Sequence, residues 1–137
     1  MSVVMPWLPQ YELGCTPMDD THREFVEWIN RLTEVSEGEF LASFDQFLAH
    51  TVAHFDQENL WMEKSSFPPI HCHVDEHQRV LATLQSIRRM VAKGDVAIGR
   101  RAAEELVSWF ATHAATMDTA LAVHMRNVGF SPAALAA

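Results

Sequence analysis

A chain of 137 residues, 48% of them apolar, has the length of one domain and the material for one core. Its formal charge of −8 disfavours nucleic acid and anionic membrane as partners, and no apolar stretch approaches the ~20 residues that span a bilayer. Cys15 and Cys72 alone imply no disulfide framework, and MSVVMPWLPQ shows no signal-peptide pattern, so a cytoplasmic location is expected.

The arm, about residues 1–17, carries Pro6, Pro9, Gly14 and Pro17, too many breakers for a long helix. Trp7 and Tyr11 are its expected anchors on the rest of the fold. A first helix is expected from about Asp19 to Ser36, with Asp19 or Asp20 as N-cap and Phe25, Ile29 and Leu32 on its apolar stripe. Gly38 marks the expected turn. A second helix, about Glu39 to Lys64, buries Phe44, Phe47, Leu48, Thr51 and Phe55 and stops at the Ser65–Pro69 loop. A third, about Ile70 to Ala92, carries Val80, Leu81, Leu84 and Ile87. The fourth starts near Asp95, carries Leu106, Trp109 and Phe110, and runs to about Asn127, with Gly129 as its stop. The alanine-rich tail after Ser131 is expected to fray. Short connections make neighbours antiparallel, so the expected fold is all-α: an up-down-up-down four-helix bundle (about 18–127) behind an arm, one domain over 1–137.

Seven metal-ligating residues sit on these stripes: His22, His54, Glu58, His73, His77, His113 and Asp118. His54 and Glu58 are four residues apart, as are His73 and His77, so each pair shares a helix face. Antiparallel order brings the start of the first helix, the end of the second, the start of the third and the end of the fourth together. At about 1.5 Å per residue, every candidate falls within roughly 20 Å of that end. Buried imidazoles and carboxylates need partners, since even a neutral polar group costs roughly 2–7 kcal/mol unpaired. Metal coordination would satisfy them together. Five imidazoles and two carboxylates exceed a lone zinc site and suit a pair of carboxylate-bridged irons. With both carboxylates and one solvent-derived oxygen bridging, a metal with three histidines is full and one with two histidines keeps an open position. Dioxygen is the ligand that such a position suits.

With those residues in place the chain resembles the hemerythrin family, in its single-domain bacterial kind, the bacteriohemerythrins. The resemblance rests on Asp19-Asp20-Thr21-His22, on His54-Phe55-Asp56-Gln57-Glu58 followed by Met62, on His73 with His77, and on His113 with Asp118 behind Trp109. It runs from about Trp7 to Asp118. It implies that His73, His77 and His113 hold the saturated iron, that His22 and His54 hold the open one, and that Glu58 and Asp118 bridge them. The cofactors it implies are two non-haem irons, oxo- or hydroxo-bridged, with dioxygen bound at the open one. Asn59 stands where the family often has a second glutamate, and is expected to point away from the metals with little consequence. Cys15 replaces an aliphatic residue of the arm. Phe110 replaces the common leucine of the oxygen pocket and is expected to overlie the open position, with Phe25, Phe55 and Leu81 as neighbours.

The spacing of His113 and Asp118 is awkward. Five residues on an ideal α-helix turn through about 140°, so a π-type bulge is expected between them. His71 is expected to face outward, and His50, His124, Cys15 and Cys72 stand outside the ligand set. Three function classes follow. The first is reversible oxygen binding, for storage, delivery, transport or buffering by a monomer. The second is a di-iron enzyme acting on oxygen, peroxide or nitric oxide. The third is an oxygen or redox sensor signalling to a separate protein partner. The chain lacks the Glu-x-x-His motifs of ferritin-like oxidases, which favours carriage over catalysis.

Overall fold

A computed structural model describes residues 5–132; the tail expected to fray lies almost wholly outside them. The arm runs through a short 3-10 turn, Pro9–Tyr11, and leads into α1 (Thr16–Glu34), α2 (Glu37–Lys64), α3 (Ile70–Ala92), α4 (Val96–His113) and α5 (Thr119–Asn127). A π-helical segment, Ala114–Asp118, joins α4 to α5, so together they form the fourth rod of an all-α bundle. α1 packs on α2 and α4, and α3 packs on the same two helices. No strand occurs among the described residues, and none of their helices is long and apolar enough to cross a membrane.

α1 begins three residues earlier than expected. Pro17, fixed near helical φ, sits at the first helical positions, which places Asp19 inside the first turn. Its carboxylate Oδ1 accepts the backbone N–H of Leu13 at 2.8 Å, so Asp19 ties the arm down rather than capping the helix. Gly38 is likewise inside the first turn of α2, and the turn is made by extended Val35 and Ser36. Arg100 of α4 closes the end of α1 by donating to the carbonyls of Leu32 (3.2 Å) and Val35 (2.7 Å). α4 starts beside Asp95 as expected, and Asp95 caps it, accepting from Ile98 N–H at 3.1 Å. The chain leaves α5 through Gly129 at φ +71, a left-handed position that glycine takes without a Cβ penalty.

Two apolar clusters fill the interior. The larger includes Phe25, Ile29, Leu32, Phe40, Phe44, Phe47, Leu84, Leu106 and Phe110. The smaller comprises Met18, Trp61, Met62, Phe67, Leu121, Ala122 and Met125. Each large side chain removed from water contributes about 1.5–3 kcal/mol. Trp7 and Tyr11 anchor the arm as expected: Tyr11 is buried 5.1 Å from the Phe110 ring, and Trp7 packs on Tyr11 at 5.6 Å.

Candidate metal centre

His22 from α1, His54 and Glu58 from α2, His73 and His77 from α3, His113 from α4 and Asp118 from the π segment are all buried, none more than 6% exposed. All five histidines turn Nε2 toward the two carboxylates. Oε1 of Glu58 stands 3.2 Å from His77 and 3.4 Å from His73. Its Oε2 stands 2.9 Å from His54 and 3.5 Å from His22. Asp118 divides in the same way, with Oδ1 3.1 Å from both His73 and His113 and Oδ2 3.1 Å from His22. Each carboxylate therefore offers one oxygen to a three-histidine set and the other to a two-histidine set. The donor atoms of Glu58, His73, His77, His113 and Asp118 lie within 4.8 Å of one another, and so do those of His22, His54 and Glu58.

Most of these close approaches are not hydrogen bonds. His22 Nε2, His77 Nε2, Glu58 Oε1 and both oxygens of Asp118 are buried with no aligned partner. His73 and His113 bring their Nε2 atoms within 3.2 Å of each other. Donors held about 2.0–2.2 Å from a common ion stand roughly 3 Å apart, which is the spacing seen. Orphaned lone pairs at that spacing fit metal ions.

The electrostatics describe the same pocket holding protons instead. Burial alone would depress the His22 imidazolium, but Asp118 and Glu58 beside it outweigh burial and push its pKa up to about 10. The same balance raises His73 to about 9 and His113 in the same direction. For His77 burial wins and the pKa falls. Burial pulls Glu58 and Asp118 upward, yet the surrounding histidines hold both carboxyls well below the usual carboxylate range.

Asp118 reaches the cluster because the helix widens. From Ala114 to Asp118 the bonding is π-type, and Thr119 N–H returns to the carbonyl of Ala114, five residues back. The Thr119 hydroxyl donates to that same carbonyl at 2.7 Å, and the Thr116 hydroxyl donates to Thr112 at 2.7 Å. The expected bulge is present.

Comparison with known proteins gives this arrangement a family. Residues 15–123 match the family model described as the hemerythrin HHE cation binding domain. A bacteriohemerythrin of Ralstonia nicotianae is 41% identical over 126 residues, 92% of each chain. The chain belongs to the hemerythrin family. A second bacteriohemerythrin, of Methylococcus capsulatus, is 19% identical over 104 residues, covering 73% of this chain and 79% of that protein.

In this hemerythrin fold the outward nitrogens of the histidines rest on unequal supports. Glu76 Oε1 accepts from His113 Nδ1–H at 3.2 Å and from Trp109 Nε1–H at 2.9 Å, and the Trp109 ring stacks on His113 at 4.5 Å. Asn59 Oδ1 accepts from His77 Nδ1–H at 2.9 Å. Asn59 does face away from the carboxylates, but the expectation of little consequence is corrected: it orients a candidate ligand. The Tyr11 carbonyl lies 3.5 Å from His22 Nδ1, and His73 Nδ1 is buried without a partner. Sequence reasoning passed over Glu76. A ligating histidine usually gives its second N–H to a carboxylate, but Glu76 serves His113 from a different helix, and no spacing in the sequence links the two.

Over the two-histidine set, Phe110 meets the His22 ring edge-on at 5.0 Å and stacks with Phe25 at 4.9 Å, while Phe25 lies 6.0 Å from His54. Phe55 sits between the sets, stacked face to face on His77 at 4.0 Å and 5.3 Å from His54. Leu81 is half-buried and has no place in the apolar cluster around Phe110. His71 is exposed, as its helical position predicts. His50 lies at the surface 3.9 Å from Glu24. His124 Nε2–H donates to the carbonyl of Ser65 at 2.8 Å, pinning the α2–α3 connection. Cys15 and Cys72 are free thiols, and burial pushes the Cys15 thiol pKa up.

Proposed function

We propose that the chain binds dioxygen reversibly at a pair of non-haem irons, as a single-domain oxygen store, carrier or buffer. The observation that carries this reading is the division of both carboxylates between a three-histidine and a two-histidine set. His73, His77 and His113 would hold one iron, His22 and His54 the other, and Glu58 and Asp118 would bridge them. An iron pair held there would supply the electrons that dioxygen binding needs.

The chain's own residues fit that task. The set of five histidines keeps the pair less electron-rich than a carboxylate shell would, which suits binding over oxidative chemistry. Phe110 and Phe25 cover the two-histidine side with hydrocarbon, and Tyr11 of the arm packs on Phe110. A water-poor wall slows proton delivery, and so slows loss of the ligand in reduced form. The names of the two bacteriohemerythrin relatives support the same reading.

The test is metal analysis followed by an optical spectrum of the anaerobically reduced protein before and after air. Two irons per chain and a charge-transfer band that disappears on deoxygenation are expected. Immediate irreversible oxidation would replace this reading with an enzyme or a sensor.

A further inference from the structure

Between α1 and α2 lies a cavity of about 190 Å³ that opens to solvent. Its outer wall includes Glu24, His50 and Ala53, all exposed, and its inner wall includes Phe25, Phe47, Thr51 and His54. Of the five clustered histidines, His54 alone reaches 6% exposure, and none of the three-histidine set lines this space.

The walls are less polar than their composition suggests. The Thr51 hydroxyl donates to the carbonyl of Phe47 at 2.9 Å, and the Thr21 hydroxyl donates to Met18 at 2.9 Å. Both threonines spend their hydroxyls on their own helices. Small residues keep the space open: Ala53 and Thr51 stand where larger side chains would close it. Deeper in, Gln57 lines the cavity with a buried Oε1 that has no hydrogen-bond partner. At the mouth, Glu24 carries an exposed carboxylate 3.9 Å from His50.

We propose that this cavity is the portal by which small neutral molecules reach the two-histidine side of the centre, with Phe25 as its inner leaf and Glu24 opposing anions at its mouth. A volume of about 190 Å³ exceeds the ~150 Å³ that holds benzene or xenon in an enclosed apolar cavity, so a diatomic gas has room. Phe25 separates the cavity from Phe110 and packs beside His54, so rotation of that ring passes a molecule inward. The proposal rests on the seven residues holding metal but does not require that oxygen carriage be the task.

Two measurements decide it. Crystals of the metal-free protein under xenon should show xenon between Phe25, Phe47 and His54, and lose it in Ala53→Trp. Ala53 is on the exposed face of α2, so the variant keeps the fold, and Ala53→Phe gives a second plug size. In iron-loaded protein, stopped-flow with dioxygen and with azide should show Ala53→Trp slowing association and dissociation by the same several-fold factor. Affinity should not change, because a portal alters both rates and a ligand contact alters their ratio. Glu24→Gln should speed azide association at low ionic strength and leave dioxygen association unchanged. Thr83→Trp, in the separate groove between α3 and α4, should change nothing. Unplugged rates in both Ala53 variants, or a changed affinity with no parallel slowing, would overturn the portal. If the loaded protein fails to hold dioxygen reversibly, the proposed function falls while the xenon and azide measurements still decide the portal.

Discussion

Around Gly99 the bundle is filled with hydrocarbon to the limit of contact. A Cβ on that residue would overlap the Phe40 ring and stand 2.8 Å from Val91. Around Glu58, by contrast, His54 alone makes an aligned hydrogen bond to a carboxylate of the cluster, at 2.9 Å, while His22 Nε2, His77 Nε2, Glu58 Oε1 and both oxygens of Asp118 are buried without one. An unsatisfied buried group costs about 1–3 kcal/mol, so this region needs protons or metal ions. The first region is specified by shape and folds on its own account. The second is specified by charge, and its occupants decide what it contributes. One bundle thus carries a self-sufficient part that holds the helices in register and a dependent part that uses that register.

The largest separation of the two regions should come from Glu58→Ala. Glu58 reaches four of the five histidines, three of them at 2.9 to 3.4 Å and the fourth at 3.5 Å, where Asp118 reaches three. Its loss should remove both irons, while circular dichroism stays helical because the apolar clusters are untouched. Metal analysis that finds a complete pair in the variant would refute the bridging assignment.

Next in size is the response to pH, and its sign should reverse on metal loading. In the metal-free protein His22 titrates near 10 and His73 near 9, both above their ordinary 6.5. Raised pKa values contribute stability that is fully present below pH 6.5 and lost as pH climbs through 9 to 10. Glu58 and Asp118, held low, contribute stability that is lost only in acid. Metal ions compete with the histidine protons, so ion affinity should rise with pH over the same alkaline window. Urea midpoints of metal-free protein at pH 7 and 9 should fall with pH. Ferrous loading in weak buffer near pH 8 should release protons. A rising midpoint, or loading without proton release, would mean that the cluster does not store protons.

Gly99→Ala should act on the other region alone. Overpacking costs about 1–3 kcal/mol, which exceeds the gain of up to ~1 kcal/mol from alanine's helix propensity. The melting temperature should fall equally with and without metal, and iron per folded chain should stay the same. Loss of iron in proportion to stability would show that the two regions are not separable.

Most of this contrast was legible in the sequence because it rests on spacing. The i,i+4 pairs on apolar stripes, and short loops that fix antiparallel order, put the seven side chains at one end. The five-residue gap from His113 to Asp118 demanded a wider turn, and the π segment supplies it. What escaped was decided by groups with more than one use. An aspartate near a helix start serves equally as a cap or as an acceptor for the arm, and only the position of Pro17 selects the second for Asp19. Asn59 and Glu76 lie off the apolar stripes, so nothing in the periodicity distinguishes them from solvated residues. Their roles appear only once His77 and His113 turn an Nδ1–H toward them.

Those two supports give the smallest and most local test. His113 leans on a carboxylate and His77 on a neutral amide, so His113 should be the more basic donor to metal. Glu76→Gln keeps an acceptor for both His113 and Trp109 but removes the charge. Altering such a support lowers metal affinity by about 10–100-fold, and keeping the bond should place this variant near the lower limit. Asn59→Asp should move affinity upward, because it gives His77 a charged acceptor. Competition against a chelator reads both shifts, and fluorescence in a background with Trp7, Trp28 and Trp61 replaced by Phe reports whether the Trp109 ring has left His113, 4.5 Å away in the parent. Equal affinities for the parent, Glu76→Gln and Asn59→Asp, with an unchanged fluorescence spectrum, would show that these bonds set orientation alone and that charge beyond the ligands does not tune the centre.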